Sequence, residues 1–153
     1  MTRSEDLFPF LALCARAQPH PAQQERLRRR ALDLPSWDGL PVHAEAHGME
    51  PLLYAHLHAA DIPIPAHVER QLRTRTVQHA HANRVRTRAL AEILDGFQSA
   101  GIQVLVLKGA ALAHLIYPHP GLRVMRDIDL LVSRADARRA QAVLAQMGYA
   151  CLL

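Results

Sequence analysis

The chain has 153 residues, 50% of them hydrophobic, with 18 Lys and Arg against 14 Asp and Glu for a formal net charge of +4. That size supports one domain with a real core, or a small α/β unit with a helical extension, and it excludes a disordered tail. The positive charge comes almost wholly from arginine, which favours an anionic partner without choosing among nucleotide, nucleic acid and membrane surface.

In chain order, Ser4 can cap a first helix running to about residue 17. Its apolar part does not read as a secretory leader, because Glu5 and Asp6 stand where a leader carries positive charge and Pro9 interrupts the run. Pro21 suits the first turn of a second helix through Leu32, and Asp38 opens a third that ends near His47 and Gly48. Pro51 starts a fourth, PLLYAHLHAA, closed by the Pro63 and Pro65 turn. From Ala66 to about Ala100 one long helical pattern carries an apolar stripe through Val68, Leu72, Val77, Leu90, Ile93 and Phe97, and Gly101 stops it. No run approaches the roughly 18 uninterrupted apolar residues of a membrane span. Cys14 and Cys151 are too isolated for a metal-ligand spacing or a disulfide framework, so a soluble protein of the reducing cytoplasm is expected.

At Ile102 the period changes: IQVLVL is rich in β-branched and aliphatic residues and bounded by glycine on either side, as a buried strand would be. Gly109 to Tyr117 has helical density, two prolines and a glycine make 118–125 a loop, and 127–132 reads as a second strand. Ser133 with Asp136 forms a capping box for a helix over 134–147, and YACLL after Gly148 reads as a third strand. The expected fold is therefore α+β or α/β, a helical region over 1–100 and a partial β-α-β-α-β core over 101–153, with a partly parallel sheet. The chain stops inside that third strand, which leaves an open sheet edge through which copies could associate.

Chemistry concentrates between residues 104 and 132. Asp127 and Asp129, two apart on a strand, leave the same face, and two carboxylates that close stay ionised only with a counter-charge such as Mg²⁺ beside a triphosphate. An exposed strand start, with Asp127 paired to Arg123 or Arg126, is the plainer alternative. Lys108, the only lysine, and Gly109 stand where a strand gives way to a helix, a place whose free N–H groups favour a phosphate. Arg123, in the loop that enters the acidic strand, could clamp the same triphosphate. Elsewhere His43 and His47 have the spacing of zinc ligands but no third ligand, and the arginines at 28–30 and at 84, 86 and 88 lack the aromatic platforms of a nucleic-acid surface.

The segment LKGAALAHLIYPHPGLRVMRDIDLLV, followed by a helix and GY, resembles the uncharacterised nucleotidyltransferase family, within the DNA polymerase beta-like nucleotidyltransferase superfamily. The preceding HGMEPLLYAHL looks like that family's helical N-terminal region. The resemblance implies Lys108 and Gly109 at the nucleotide phosphates and Asp127 and Asp129 as catalytic residues holding Mg²⁺. Two features depart from the superfamily pattern: Lys-Gly replaces its Gly-Ser turn, and its third carboxylate would come from a strand beyond the last residue here. Two functions are thus expected as alternatives. One is transfer of a nucleoside monophosphate from an NTP to an unknown acceptor, and the other is a non-catalytic nucleotide-binding or interaction module.

Overall fold

The computed structural model describes residues 7–150. Five helices come first, α1 (Phe8–Leu13), α2 (Pro21–Leu32), α3 (Leu40–Ala46), α4 (Glu50–Ala59) and α5 (Ala66–Ser99). Then follow β1 (Val104–Leu107), α6 (Lys108–Leu115), a 3-10 turn (Pro120–Leu122), β2 (Asp129–Val132) and α7 (Ala137–Gln146). The architecture is α+β, with a single two-stranded sheet among the described residues.

Pro21 sits at the first turn of α2 as its fixed φ favours, and Gly101, at φ +65, takes the left-handed turn that closes α5. The cap expected at Ser4 lies outside the described residues. A 34-residue helix spans roughly 50 Å at 1.5 Å per residue, and α5 uses that length to serve two cores. Val68 and Leu72 join Phe10, Leu11, Leu27, Leu40, Leu53 and Leu57 under α1 to α4. Toward its other end Leu90 packs with Ala110, Ala113 and Met125, while Ile93 and Phe97 meet Ile102 and Ala140. The boundary drawn from sequence at residue 100 falls where α5 ends, so the helix counted with the first region also forms the floor of the second. Cys14 lies in the first core, where burial pushes its thiol up to about 12.

The sheet is antiparallel, with Val104 opposite Val132 and Leu107 opposite Asp129, and not partly parallel. A parallel return would carry the chain back to the start of β1. Here α6 ends after two turns, and the loop behind it is tied to α5 near the end where β1 leaves. Asn83, 1% exposed on α5, donates from Nδ2 to the carbonyls of Pro120 at 2.8 Å and Arg123 at 2.6 Å. The chain therefore enters β2 from the end at which it left β1. Among the described residues there is no third strand: Tyr149 and Ala150 are irregular, and the remainder of YACLL lies outside them. Ser133 Oγ accepts from the Asp136 N–H at 3.1 Å and donates to its carboxylate at 2.8 Å, which is half of the expected capping box, because the carboxylate bonds the hydroxyl rather than the Ser133 backbone N–H. That turn takes up residues 134–136, so α7 begins at Ala137 rather than at 134.

Candidate functional site

Antiparallel pairing decides which side chains meet. Because Leu107 faces Asp129, the residue after β1, Lys108, lies beside the first residue of β2, and Lys108 Nζ donates to Asp129 Oδ1 at 3.2 Å. The lysine side chain is 73% exposed and the aspartate 29%, so the pair has the strength of a surface ion pair, about 0–1 kcal/mol, and an incoming anion can draw the ammonium away.

Lys108 also has φ +47, a left-handed conformation that side chains rarely adopt. Strain of this kind persists where the surroundings hold it, here a strand turning directly into α6. No side chain caps α6, which leaves its first N–H groups open at the same spot. A methyl at Gly109 would only touch Met125 Cγ at 3.6 Å, an ordinary contact, so packing alone does not demand glycine there.

The acidic pair is arranged differently from the expectation of two aspartates on one strand. β2 begins at Asp129, and Asp127 lies in the irregular segment just before it, exposed. Both still border one cavity of about 350 Å³, together with Lys108, Gly109 and Arg123. Asp127 forms no ion pair with Arg123 or Arg126, the plainer role open to it in the sequence. Arg123 is half-buried, its Nε enclosed without a hydrogen-bond partner among the described residues, and its carbonyl is held by Asn83.

Two contributors to this site were not singled out from sequence. Asn83 fixes the Arg123 loop, and nothing in its helical context marks it as more than one polar residue among many. The His47-Gly48 turn reaches the cavity from the helical half. Gly48 holds φ +62, and a Cβ there would sit 3.5 Å from Val124 Cβ, so the turn is shaped to lie against the loop. The glycine predicted a helix end but not what it would face.

Of the remaining candidates His47 borders this cavity, and the others stay apart from it or are otherwise engaged. His43 and His47 stack with ring centroids 6.4 Å apart, and among the described residues no group of three or more His, Cys, Asp or Glu could hold a metal ion. Arg28 and Arg29 pair with Glu25 on their own helix, and Arg88 pairs with Glu92. No helix among the described residues is long and apolar enough to cross a membrane.

The fold and cavity thus define an α+β protein in which a strand-to-helix turn with a basic residue faces two carboxylates across paired strands. A family described as "Uncharacterised nucleotidyltransferase" matches residues 33–152, and the chain belongs to that family. The match takes in α3 to α5 as well as the sheet, so that part of the helical half belongs to the family's unit, while α1 and α2 lie outside the matched residues. Comparison with curated proteins and with solved structures finds no match.

Proposed function

We propose that this chain transfers a nucleoside monophosphate from an NTP to an acceptor hydroxyl with Mg²⁺, as a cytoplasmic protein. The observation that carries the reading is the meeting of Lys108, Gly109, Arg123, Asp127 and Asp129 around one cavity. Asp127 and Asp129 fit a Mg²⁺ ion: both offer hard oxygen donors near the surface, and Mg²⁺ commonly takes one or two carboxylates and completes its shell with water and substrate phosphates. Bound there, the ion would neutralise charge on the triphosphate and on the departing pyrophosphate.

The chain's own groups supply the rest. Lys108 gives up a weak pairing with Asp129 for a stronger charge-assisted contact with phosphate, and the open N–H groups of α6 face the same anion. Arg123, with an unpartnered Nε, holds the triphosphate from the loop side. The acceptor oxygen bonds to the α-phosphorus as the bridging bond to the β-phosphate breaks. Pyrophosphate leaves with the electron pair, and the hydroxyl proton passes to solvent.

Calorimetry on the wild type and on the double variant Asp127→Asn, Asp129→Asn tests this. Mg²⁺-dependent NTP binding should appear in the wild type and weaken at least about tenfold in the variant, the scale of losing charged contacts. A wild type that binds no NTP would end the reading. The second reading, a nucleotide-binding module without turnover, draws on one specific observation: no third acidic group joins the pair among the described residues. Labelled NTP that binds but is never transferred to any acceptor favours it. Association of copies through the open sheet edges belongs to either reading, and sedimentation equilibrium measures it.

A further inference from the structure

Beside the first cavity lies a second of about 310 Å³, and the two share Gly48, Val124, Met125 and Arg126 along their common wall. Across the second cavity stand α4 and the middle of α5, which bring a buried carboxylate to it. Glu50, in the first turn of α4, is 1% exposed. His79 Nε2 lies 3.2 Å from its Oε1, whereas its Oε2 is enclosed and has no hydrogen-bond partner among the described residues.

A carboxylate oxygen withdrawn from water without a donor is costly, and a residue so placed calls for a partner. The dipole of α4 eases the charge but contributes no cap hydrogen bond to that oxygen. His79 satisfies one oxygen only; the other is enclosed in the wall that Glu50 contributes to the cavity, and an occupant's donor reaches it only when the side chains of that wall turn aside.

The cationic side chains of the same cavity set a second requirement. Arg75 is engaged by Glu45 at 2.9 Å, but Arg86 and Arg126 make no ion pair among the described residues. Two such guanidinium groups favour an anion. The occupant must therefore offer a hydrogen-bond donor to Glu50 and a negative group to the arginines. An ammonium donor would meet repulsion from both arginines, whereas a hydroxyl satisfies the carboxylate without adding positive charge.

We propose that this second cavity is the acceptor subsite, and that the acceptor is a small molecule bearing a hydroxyl close to an anionic group, either phosphate or carboxylate. The assignment rests on the nucleotidyl-transfer reading of the neighbouring cavity, and the shared wall at 124–126 is what lets donor and acceptor approach each other. The volume suits a molecule of modest size, at the lower end of small-molecule sites.

The test uses the full chain, isotope-labelled, titrated separately with sn-glycerol 3-phosphate, D-glycerate, inorganic phosphate and glycerol. NMR follows the His79 ring, the Arg86 side chain and the Gly109 amide. Glycerol phosphate or glycerate, whichever carries the preferred anion, should perturb His79 and Arg86 and bind about tenfold more tightly than inorganic phosphate or glycerol. Arg86→Gln, a change at a half-exposed position, should weaken that binding about tenfold. Glu50→Gln should bring the hydroxylated probe and its bare anion toward equal affinity.

Perturbation confined to Gly109, or affinity untouched by Arg86→Gln, would overturn the proposal. A parallel titration with a Mg²⁺-bound non-hydrolysable NTP separates the two failures. If the NTP analogue perturbs Gly109 while neither hydroxylated probe perturbs His79, the acceptor assignment alone falls; silence from every probe removes both assignments.

Discussion

Around Leu27, Leu53, Leu57 and Leu72 the helices close over large aliphatic side chains, whereas around the sheet three of the eight buried cluster positions go to Ala110, Ala113 and Ala140. Leu105 and Leu131, on the outer face of the sheet, remain 63% and 52% exposed. Apolar burial stabilises in proportion to the area removed from water, so the helical half has the deeper reserve and the sheet half rests on fewer contacts. The candidate site sits where these halves meet, with its charged residues on the thinner side and the Gly48 turn reaching in from the thicker one. Functional groups drawn from the less stable part of a protein can move on binding, which suits a lysine that must leave Asp129 for phosphate.

The largest expected effect tests whether the two halves are separate in stability. Phe97, 1% exposed on α5, packs with Ile102 and Ala140, and Phe97→Ala should cost about 3–5 kcal/mol. Hydrogen exchange should then quicken in β1, β2 and α7 far more than in α1, α2 and α4. Equal acceleration everywhere would mean that α5 couples both cores into a single cooperative unit and that the two halves do not differ in stability.

How much of this contrast the sequence carried depends on the kind of signal. The helices of the first half were legible because Pro21, Pro51 and Gly101 punctuate runs with a clear apolar stripe, and their boundaries fall within a few residues of expectation. The Lys108-Gly109 turn and the acidic pair were legible because charged residues beside apolar strands are rare and local in sequence. Strand direction was not legible, since the loop that leads into β2 is held by Asn83 binding two carbonyls nearly forty residues away, a contact that no local pattern encodes. The joining of Glu50 to His79 was hidden for the same reason, being a meeting of two helices rather than a motif.

Asn83 gives the next effect in size. Asn83→Ala removes the donor of both the Pro120 and Arg123 carbonyls and should cost about 1–3 kcal/mol, as buried polar groups lose their partner. Asn83 is not among the residues bordering the cavity of Lys108 and Asp129, so any loss of NTP affinity would come through the slackened loop and Arg123. Denaturant unfolding and calorimetry on one preparation should show both losses. Lower stability with affinity unchanged would show that Arg123 is held by other contacts or does not meet the nucleotide.

The smallest change in stability belongs to Lys108, and there the physical terms oppose one another. Lys108→Gly relieves the left-handed strain at φ +47, worth about 1 kcal/mol, but adds unfolded-chain entropy of about 0.5–1 kcal/mol and removes a surface ion pair of about 0–1 kcal/mol. The sum should lie between about 0.5 kcal/mol of stabilisation and about 1 kcal/mol of destabilisation. Lys108→Ala loses the same charge and keeps the strain without the glycine entropy cost, so it should be less stable than the glycine variant by about 0–0.5 kcal/mol. If the ammonium contacts the triphosphate, both variants should lose about 1.5–3 kcal/mol of NTP binding, and by equal amounts. A glycine variant that binds as well as the wild type would show that Lys108 serves only the turn's conformation and its pairing with Asp129. Loss in the alanine variant alone would place the effect in backbone geometry, leaving the open N–H groups of α6 to hold the phosphate without the lysine.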